Sequence, residues 1–314
     1  MIDAIATHLQ QKLNSIKSTE IIINNTQFEF NNENYKTIPV TNTATSLAFI
    51  DGGQAEILRC ASFCVSLIRV NAILFDGLKK KGELKHEFFL ITTPVYQQGS
   101  FTYENEIFPL AGKSLLTKDQ LFFKANDPSL RNGNTQAPIE KITSVVRRFA
   151  ELALVATIKS VDYTIIDGTL EPTYTGEERY LEKLPSNTLA VAKSSSLLTT
   201  SSLNPAIFLN QHGPPGTWIY KVNAQTSFAK LHKKAKHIFR IEGNTDALLA
   251  LLPHCNDAVF LGYPYGLIVA DKLARISNQE KKSLMIQFLL HPCCKELLPH
   301  LQTSNAHDIL DSMG

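Results

Sequence analysis

Two apolar segments that each end in Asp-Gly constrain the fold of this 314-residue chain more than any other feature. The first is AFIDGG (48–53) and the second is TIIDGT (164–169). Between them, Pro138 opens a long helix with an apolar face, which runs almost directly into the second segment. Short apolar runs are typical of buried strands, and strands that alternate with helices indicate an α/β protein. We therefore predict an α/β fold in which helices flank a mixed sheet.

The remaining segments extend this layout over one predicted domain, residues 1–314, with its core at about 45–290. Helical segments are predicted at both ends, the first of them over 1–18, where apolar residues recur every three or four positions. Residues 97–137 are mixed in character and contain Gly, Asn and Pro, which favours an insertion.

Three local expectations concern strands and turns. The first apolar strand is expected to end at Asp51, and Lys79–Lys81 are expected to lie in a turn. The segments WIYKV (218–222) and HIFRIE (237–242) are expected to pair with each other as antiparallel strands.

The charged residues are distributed unevenly along the chain. The net charge of +2, from 31 Lys and Arg against 29 Asp and Glu, argues against a highly basic nucleic-acid binder. From Lys183 to Ile241, however, there is no acid and the net charge is +8, which leaves −6 for the remainder. The run FAKLHKKAKHIFR (228–240) interleaves basic and aromatic residues, as in grooves that bind a nucleic-acid strand. A solvated helix face or a subunit contact is the alternative. The predicted DNA-binding residues are Lys193, Lys230, Lys233, Lys234, Lys236 and Arg240.

Three acids are candidates for a shared site. Asp51 and Asp167 each follow an apolar strand, and α/β proteins bind ligands at the carboxyl ends of their strands. Asp-Gly is also a common hairpin turn, which is the alternative for either residue alone. Glu151 stands among apolar residues of the long helix, where a carboxylate is costly unless a metal or cation neutralises it. A surface ion pair with Arg147 or Arg148 is the alternative for Glu151.

Further candidates complete the predicted chemistry. Asp271 lies in the apolar run GLIVADKLA (266–274), and Glu56 either faces the site or is a solvated turn carboxylate. Acids gathered at strand ends repel one another, and hard cations such as Mn²⁺ or Mg²⁺ would neutralise them. Two such ions can activate a water and stabilise the leaving oxygen of a phosphodiester, so the acids predict a metal-dependent nuclease. Lys193, after the third apolar strand, either holds the scissile phosphate or is a surface lysine.

The order of these motifs resembles that of the NurA nucleases. The matching segments are AFIDGG (48–53), RRFAELAL (147–154), TIIDGTLEP (164–172), LAVAKSS (189–195), GYPYGLIVADKLARISNQE (262–280) and HDILDS (307–312). The resemblance spans most of the chain and implies an RNase H-like fold with insertions. It also implies that Asp51, Glu151 and Asp167 bind Mn²⁺ (or Mg²⁺) and cleave DNA. The position in the last helix, often His in the family, is Asp271 here.

The same resemblance implies a biological setting. It implies 5′–3′ exonuclease and single-strand endonuclease activity in end resection of double-strand breaks, by a homodimer docked on a HerA-type hexameric ATPase. Two alternatives stay open. One is a non-catalytic DNA-binding or adaptor subunit of a translocase, and the other is an RNase H-like nuclease that acts on RNA or hybrids.

The cysteine pattern and the chain start favour a cytoplasmic protein without a membrane segment. Five irregularly spaced Cys predict reduced thiols. The first residues lack the apolar region of a secretory signal, and no 18-residue apolar run occurs.

Overall fold

The computed structural model describes residues 1–14, 20–39, 45–297 and 299–301, and its chain divides into two compact units. Unit 1 comprises Met1–Thr45, Ile165–Leu170 and Ser186–Tyr265, and unit 2 comprises Ser46–Thr164, Glu171–Pro185 and Gly266–Gly314. The last residues of the predicted first helix, 15–18, and the motif HDILDS lie outside the described residues.

The described part of the chain is a mixture of helices and strands. Its α-helices are α1 (Ile2–Asn14), α2 (Lys141–Thr157), α3 (Glu178–Leu181), α4 (Pro205–His212), α5 (Ala247–Leu251), α6 (Tyr265–Ala274) and α7 (Asn278–Leu290). Its strands are β1 (Glu20–Ile23), β2 (Thr26–Glu29), β3 (Tyr35–Thr37), β4 (Ser46–Cys60), β5 (Phe63–Asp76), β6 (Lys79–Gln97), β7 (Ser100–Ala111), β8 (Phe123–Lys124), β9 (Tyr163–Asp167), β10 (Thr188–Ala192), β11 (Leu198–Thr199), β12 (Trp218–Lys221), β13 (Thr226–Lys230) and β14 (Phe239–Gly243). None of these helices is long and apolar enough to cross a membrane.

Unit 2 contains an antiparallel meander of long strands in the order β4-β5-β6-β7-β8. β4 pairs with β5 from Ser46 opposite Asp76 to Cys60 opposite Phe63, with one irregularity between Glu56 and Leu58. Helix α2 packs against β4 and β5 and confirms the predicted helix, although it begins at Lys141, three residues after Pro138. Its buried side chains recur at the three- and four-residue spacing of an amphipathic helix.

Unit 1 contains the strands β3-β12-β13-β14-β10-β9, in that order, and a small sheet in the order β11-β1-β2. β13 is antiparallel to both β12 and β14, and β14 is antiparallel to β10. Trp218, Tyr220 and Phe228 from this sheet pack with Phe208 and Leu209 of α4 in one buried cluster. The cluster fixes α4 on the sheet, beside the segment that follows β10.

The expectations about strand limits need correction. β4 continues through Asp51 to Cys60, because its pairing with β5 persists along that whole length. Lys79–Lys81 lie in the first residues of β6, opposite the end of β5, and form no turn. The predicted insertion 97–137 includes β7, which pairs with β6 along most of its length.

The predicted pairing of 218–222 with 237–242 is also wrong. β13, which contains the start of the basic run, lies between these two strands and pairs with both. Its residues are buried from Thr226 to Ala229, so this part of the run is a central strand. The exposed lysines follow it in the connection to β14.

Candidate functional site

Asp51 and Glu151 lie in unit 2 on elements that pack against each other, β4 and α2. Both carboxylates are buried, with 8% of Asp51 and 7% of Glu151 exposed. The Oδ1 atom of Asp51 accepts a hydrogen bond of 2.8 Å from the backbone N–H of Gly52. A Cβ atom on Gly52 would lie 3.0 Å from Cγ of Glu151, and closer still to its Oε1. The missing side chain at Gly52 therefore makes room for the Glu151 carboxylate against the strand.

Arg147 binds both the strand and the Glu151 carboxylate from one helical turn away. Its Nη1 atom donates to Glu151 and to the carbonyl oxygen of Gly52, the latter at 3.2 Å. Its Nε atom donates to Oε1 of Gln54 at 3.1 Å. The negative charge of Glu151, supplemented by that of Asp51, raises the pKa of the Arg147 guanidinium although burial opposes the shift. The Arg147 guanidinium therefore interacts electrostatically with both carboxylates.

The alternative for Glu151 is a surface ion pair with Arg147 or Arg148. The structure contains the ion pair with Arg147, but the pair does not lie at the surface. The pair with Arg147 is largely buried, since only 9% of the Glu151 side chain is exposed. Arg148 lies farther from Glu151, at 3.9 Å from its Oε2, and donates from Nε to buried Glu177 at 2.8 Å. The sequence predicts Arg147 only as such a partner, and its four-residue spacing from Glu151 is the local signal for its further bonds to Gly52 and Gln54.

Asp271 lies on α6, whose C-terminal backbone meets β4 in the same unit. A Cβ atom on Gly53 would lie 2.7 Å from the carbonyl carbon of Ala274 and 3.2 Å from the backbone nitrogen of Arg275. Asp271 itself accepts a hydrogen bond of 2.8 Å from Nη2 of Arg275 and is partly exposed. Its role as a metal ligand stays a prediction. Glu56 lies in β4, where it pairs with Arg59 at 3.4 Å, so its expected place in a turn is wrong.

Asp167 and Lys193 lie together in unit 1. Asp167 is the last residue of β9, as the sequence predicts, and Lys193 directly follows β10. The Nζ atom of Lys193 lies 2.9 Å from Oδ2 of Asp167 and 5.2 Å from the centre of the Tyr263 ring. Lys193 thus contacts one of the predicted site acids, and 43% of its side chain is exposed.

The predicted DNA-binding lysines and arginine separate into two groups in unit 1. Lys193, Lys236 and Arg240 line one cavity of about 410 Å³, and Lys230 donates a 3.3 Å hydrogen bond to Asn210 of the same lining. Arg240 is buried and pairs with Glu242 at 2.5 Å. The other two, Lys233 and Lys234, are exposed and do not line the cavity. Contact with DNA stays a prediction for all six.

Asp51 and Glu151 fit a hard divalent cation in their chemistry. Carboxylate oxygens are the donors that Mn²⁺ and Mg²⁺ prefer, and these two are buried around a cationic group. Among the residues that the structure describes, no three His, Cys, Asp or Glu side chains are grouped closely enough to hold a metal ion. Asp167 pairs with Lys193, and Asp271 pairs with Arg275. The complete ligand set stays a prediction.

The strands and flanking helices define an α/β protein, with two acids buried where α2 packs against β4. The profile of the NurA domain matches residues 45–276, which are most of the chain. The chain therefore belongs to the NurA nuclease family. No curated protein matches the chain.

Several solved structures are similar to this chain. The crystal structure of the NurA nuclease from Sulfolobus solfataricus is similar with a TM-score of 0.50 and 13% identity, and the match covers 91% of each chain. Another NurA crystal structure has a TM-score of 0.48 and 9% identity, over 84% of this chain and 92% of that one. Endonuclease V from Bacillus subtilis has a TM-score of 0.39 and 13% identity, over 85% and 89%. The first match confirms the predicted fold class.

Proposed function

We propose that this chain is a metal-dependent nuclease that hydrolyses DNA phosphodiester bonds. The observation that carries the proposal is the buried pair of Asp51 and Glu151 beside Gly52, whose carboxylates both interact with the Arg147 guanidinium. Burying two carboxylates is unfavourable without compensating positive charge. Arg147 supplies one positive charge against these two carboxylates, and a divalent cation held by their oxygens would compensate the remaining negative charge.

The residues of this chain have distinct tasks in the proposed reaction. Asp51, Glu151, Asp167 and Asp271 are the proposed ligands of Mn²⁺ (or Mg²⁺), which when bound lowers the pKa of a water and stabilises the leaving oxygen. Arg147 holds the Glu151 carboxylate against Gly52 and so fixes its position before substrate binds. Lys193, which contacts Asp167, is the proposed contact to the scissile phosphate.

The test uses substitutions that preserve shape and remove charge. Asp51→Asn and Asp167→Asn should each lower Mn²⁺-dependent cleavage of single-stranded DNA by at least about 100-fold, because each removes a negatively charged ligand. Asp76→Asn is the matched control, since Asp76 is an exposed residue at the end of β5 that pairs with Lys81. Circular dichroism melting should show folded proteins. Full activity of Asp51→Asn with Mn²⁺ would contradict the proposal.

Two comparisons separate the rival functions. DNA, RNA and a hybrid of one sequence, digested side by side, test whether DNA is the preferred substrate. Binding of DNA that persists in EDTA, with no cleavage at any Mn²⁺ concentration, would instead favour an adaptor subunit without catalysis.

We further propose, from family membership, a 5′–3′ exonuclease and single-strand endonuclease that acts in end resection as a homodimer on a HerA-type hexameric ATPase. Light scattering after gel filtration tests the dimer, and co-purification with the ATPase tests the partnership. Substrates with a blocked 5′ end test polarity, because blocked and free ends should differ only if cleavage starts there. Circular single-stranded DNA, which has no ends, isolates the endonuclease activity.

A further inference from the structure

Unit 1 contains a cavity with basic and polar residues in its lining. It lies between the segment after β10, the helix α4 and the residues that lead into β14. Its volume of about 410 Å³ is in the range of roughly 300–1,000 Å³ that small-molecule pockets span. That volume accommodates a single nucleotide but is too small for a duplex.

The charged residues of the lining are basic. Lys193, Lys236 and Arg240 line the cavity, and none of its described lining residues is acidic. Lys193 and Arg240 are paired with acids outside the lining, Asp167 and Glu242, whereas Lys236 is exposed. Ser, Asn and Gln residues supply neutral hydroxyl and amide groups, and Ala, Ile and His237 make up the rest of the lining. Such a mixture of ammonium groups and neutral hydrogen-bonding groups suits a phosphate group.

An aromatic surface adjoins these basic groups. His237 is an exposed residue of the cavity lining, and its ring stacks on Phe260 with ring centres 5.2 Å apart and planes 7° apart. Phe260 in turn contacts the rings of Phe239 and Tyr263. The exposed residue His237 therefore borders the cavity and also adjoins a cluster of aromatic rings.

We propose that this cavity is a subsite for one nucleotide of single-stranded DNA, with its phosphate on Lys193 and Lys236 and its base stacked on His237. The inference deepens the proposed nuclease function and rests on it. A base in a duplex is already stacked between its neighbours and cannot lie on a protein ring without being extruded. The subsite thus selects unpaired strands by stacking, independently of sequence.

The test measures binding without cleavage. A fluorescent thymidine 12-mer is titrated by anisotropy in EDTA at several salt concentrations, with the wild type and four variants. His237→Ala should weaken binding roughly 5- to 150-fold, the loss expected for one stacked base. His237→Phe should bind within about 2-fold of the wild type, because it preserves stacking and removes the imidazole.

The lysine contact has a separate signature. Lys236→Ala should reduce the slope of log affinity against log salt by about 0.7, the value for one phosphate contact on a single strand. Lys36→Ala is the matched control, because Lys36 is an exposed residue of β3 in the same unit and does not line the cavity. Its salt slope should equal that of the wild type.

The opposite results would overturn the subsite. His237→Ala should leave the affinity for a 12-base-pair duplex within about 2-fold of the wild type, because paired bases do not stack on the ring. An equal loss on duplex and single strand would show that stacking is not involved. Equal salt slopes for Lys236→Ala and Lys36→Ala, or a wild type that does not bind the 12-mer, would also refute the proposal. Cleavage with Mn²⁺ by these same variants distinguishes the failures, since a wrong subsite leaves cleavage intact and a wrong function leaves none.

Discussion

The packing of Glu151 against Gly52 predicts a sharp response to one added methyl group. A Cβ atom at residue 52 would lie 3.0 Å from Cγ of Glu151 and 3.1 Å from Cγ of Arg147, where ordinary contacts begin at 3.4 Å. The Glu151 carboxylate, which is nearer still, must move by about 1 Å, and misplacement by that distance can lower a catalytic rate about 100-fold. Gly52→Ala should therefore lower cleavage by about 100-fold, equivalent to about 2.7 kcal/mol of transition-state stabilisation.

The same substitution should leave the fold nearly unchanged. Both nearest groups are side chains that can shift, and alanine in an extended strand loses less backbone entropy on folding than glycine, by roughly 0.5–1 kcal/mol. The melting temperature should stay within about 4 °C of the wild type. The assay is initial-rate cleavage of single-stranded DNA over a Mn²⁺ titration, with melting followed by circular dichroism.

Two other glycines provide the comparison. Gly82→Ala in β6 is the matched control, because its nearest neighbour would be Cδ1 of Leu74 at 4.0 Å, and it should retain wild-type activity. Gly53→Ala meets the backbone of Ala274 and Arg275 instead, so it should lower the melting temperature as well. If Gly52→Ala cleaved within about 3-fold of the wild type at every Mn²⁺ concentration, the positioning of Glu151 would not matter for the reaction.

Three further predictions concern buried charges and thiols of unit 2. Arg69 donates to Glu87 at 2.6 Å and both side chains are largely buried, so Arg69→Met should lower the free energy of unfolding in urea by about 3–5 kcal/mol; a loss below about 1 kcal/mol would contradict this. Burial opposes ionisation of Glu87, but hydrogen bonds from Lys85 and Arg69 prevail and lower its pKa. The ionised Glu87 therefore contributes its full stabilisation above about pH 4.3, the pKa of Glu in the unfolded chain, and loses it as the pH falls through the lower pKa of the folded state. Glu87→Gln should therefore weaken the fall in the free energy of unfolding at acid pH, measured by urea unfolding. An unchanged dependence on acid pH would refute this prediction. Burial raises the pKa of the Cys64 thiol to about 11, so iodoacetamide at about pH 8 should label exposed Cys293 and reach Cys64 only after denaturation, as mass spectrometry would show.

The sequence predicts the elements of this fold better than their limits. The helix after Pro138 and the strands ending at Asp167 and Ala192 are local patterns of apolar spacing, and the structure contains them. The continuation of β4 past Asp51 depends on pairing with β5, a contact that local patterns do not encode. The same holds for β13, because the lysine-rich run that begins at its end indicates an exposed surface although its first four residues are buried and the strand pairs on both sides.

The candidate site could be predicted as residues but not as a geometry. Asp51, Glu151 and Asp167 were identified by their positions after apolar runs or within them, and two of the three are buried. Arg147 was harder to recognise, because its importance comes from bonds to Gly52 and Gln54 on another element, about 95 positions away. The cavity in unit 1 is lined by three segments that are separated along the chain and come together only in the folded structure. Local sequence patterns therefore do not predict it.

The two glycines after Asp51 explain why the local pattern predicts a strand end at Asp51, although β4 continues through them. Asp-Gly-Gly suggests a turn, because glycine adopts turn conformations easily and weakens a strand by roughly 0.5–1 kcal/mol per residue. The ladder between β4 and β5 offsets that loss, since pairing is continuous on both sides of Gly52 and Gly53. Each glycine instead admits a neighbour: the Glu151 side chain at Gly52 and the α6 backbone at Gly53. A site placed in mid-strand is held from both directions along the chain, whereas a site at a strand end is held from one. Asp51 therefore has the fixed backbone that its proposed role as a catalytic carboxylate requires.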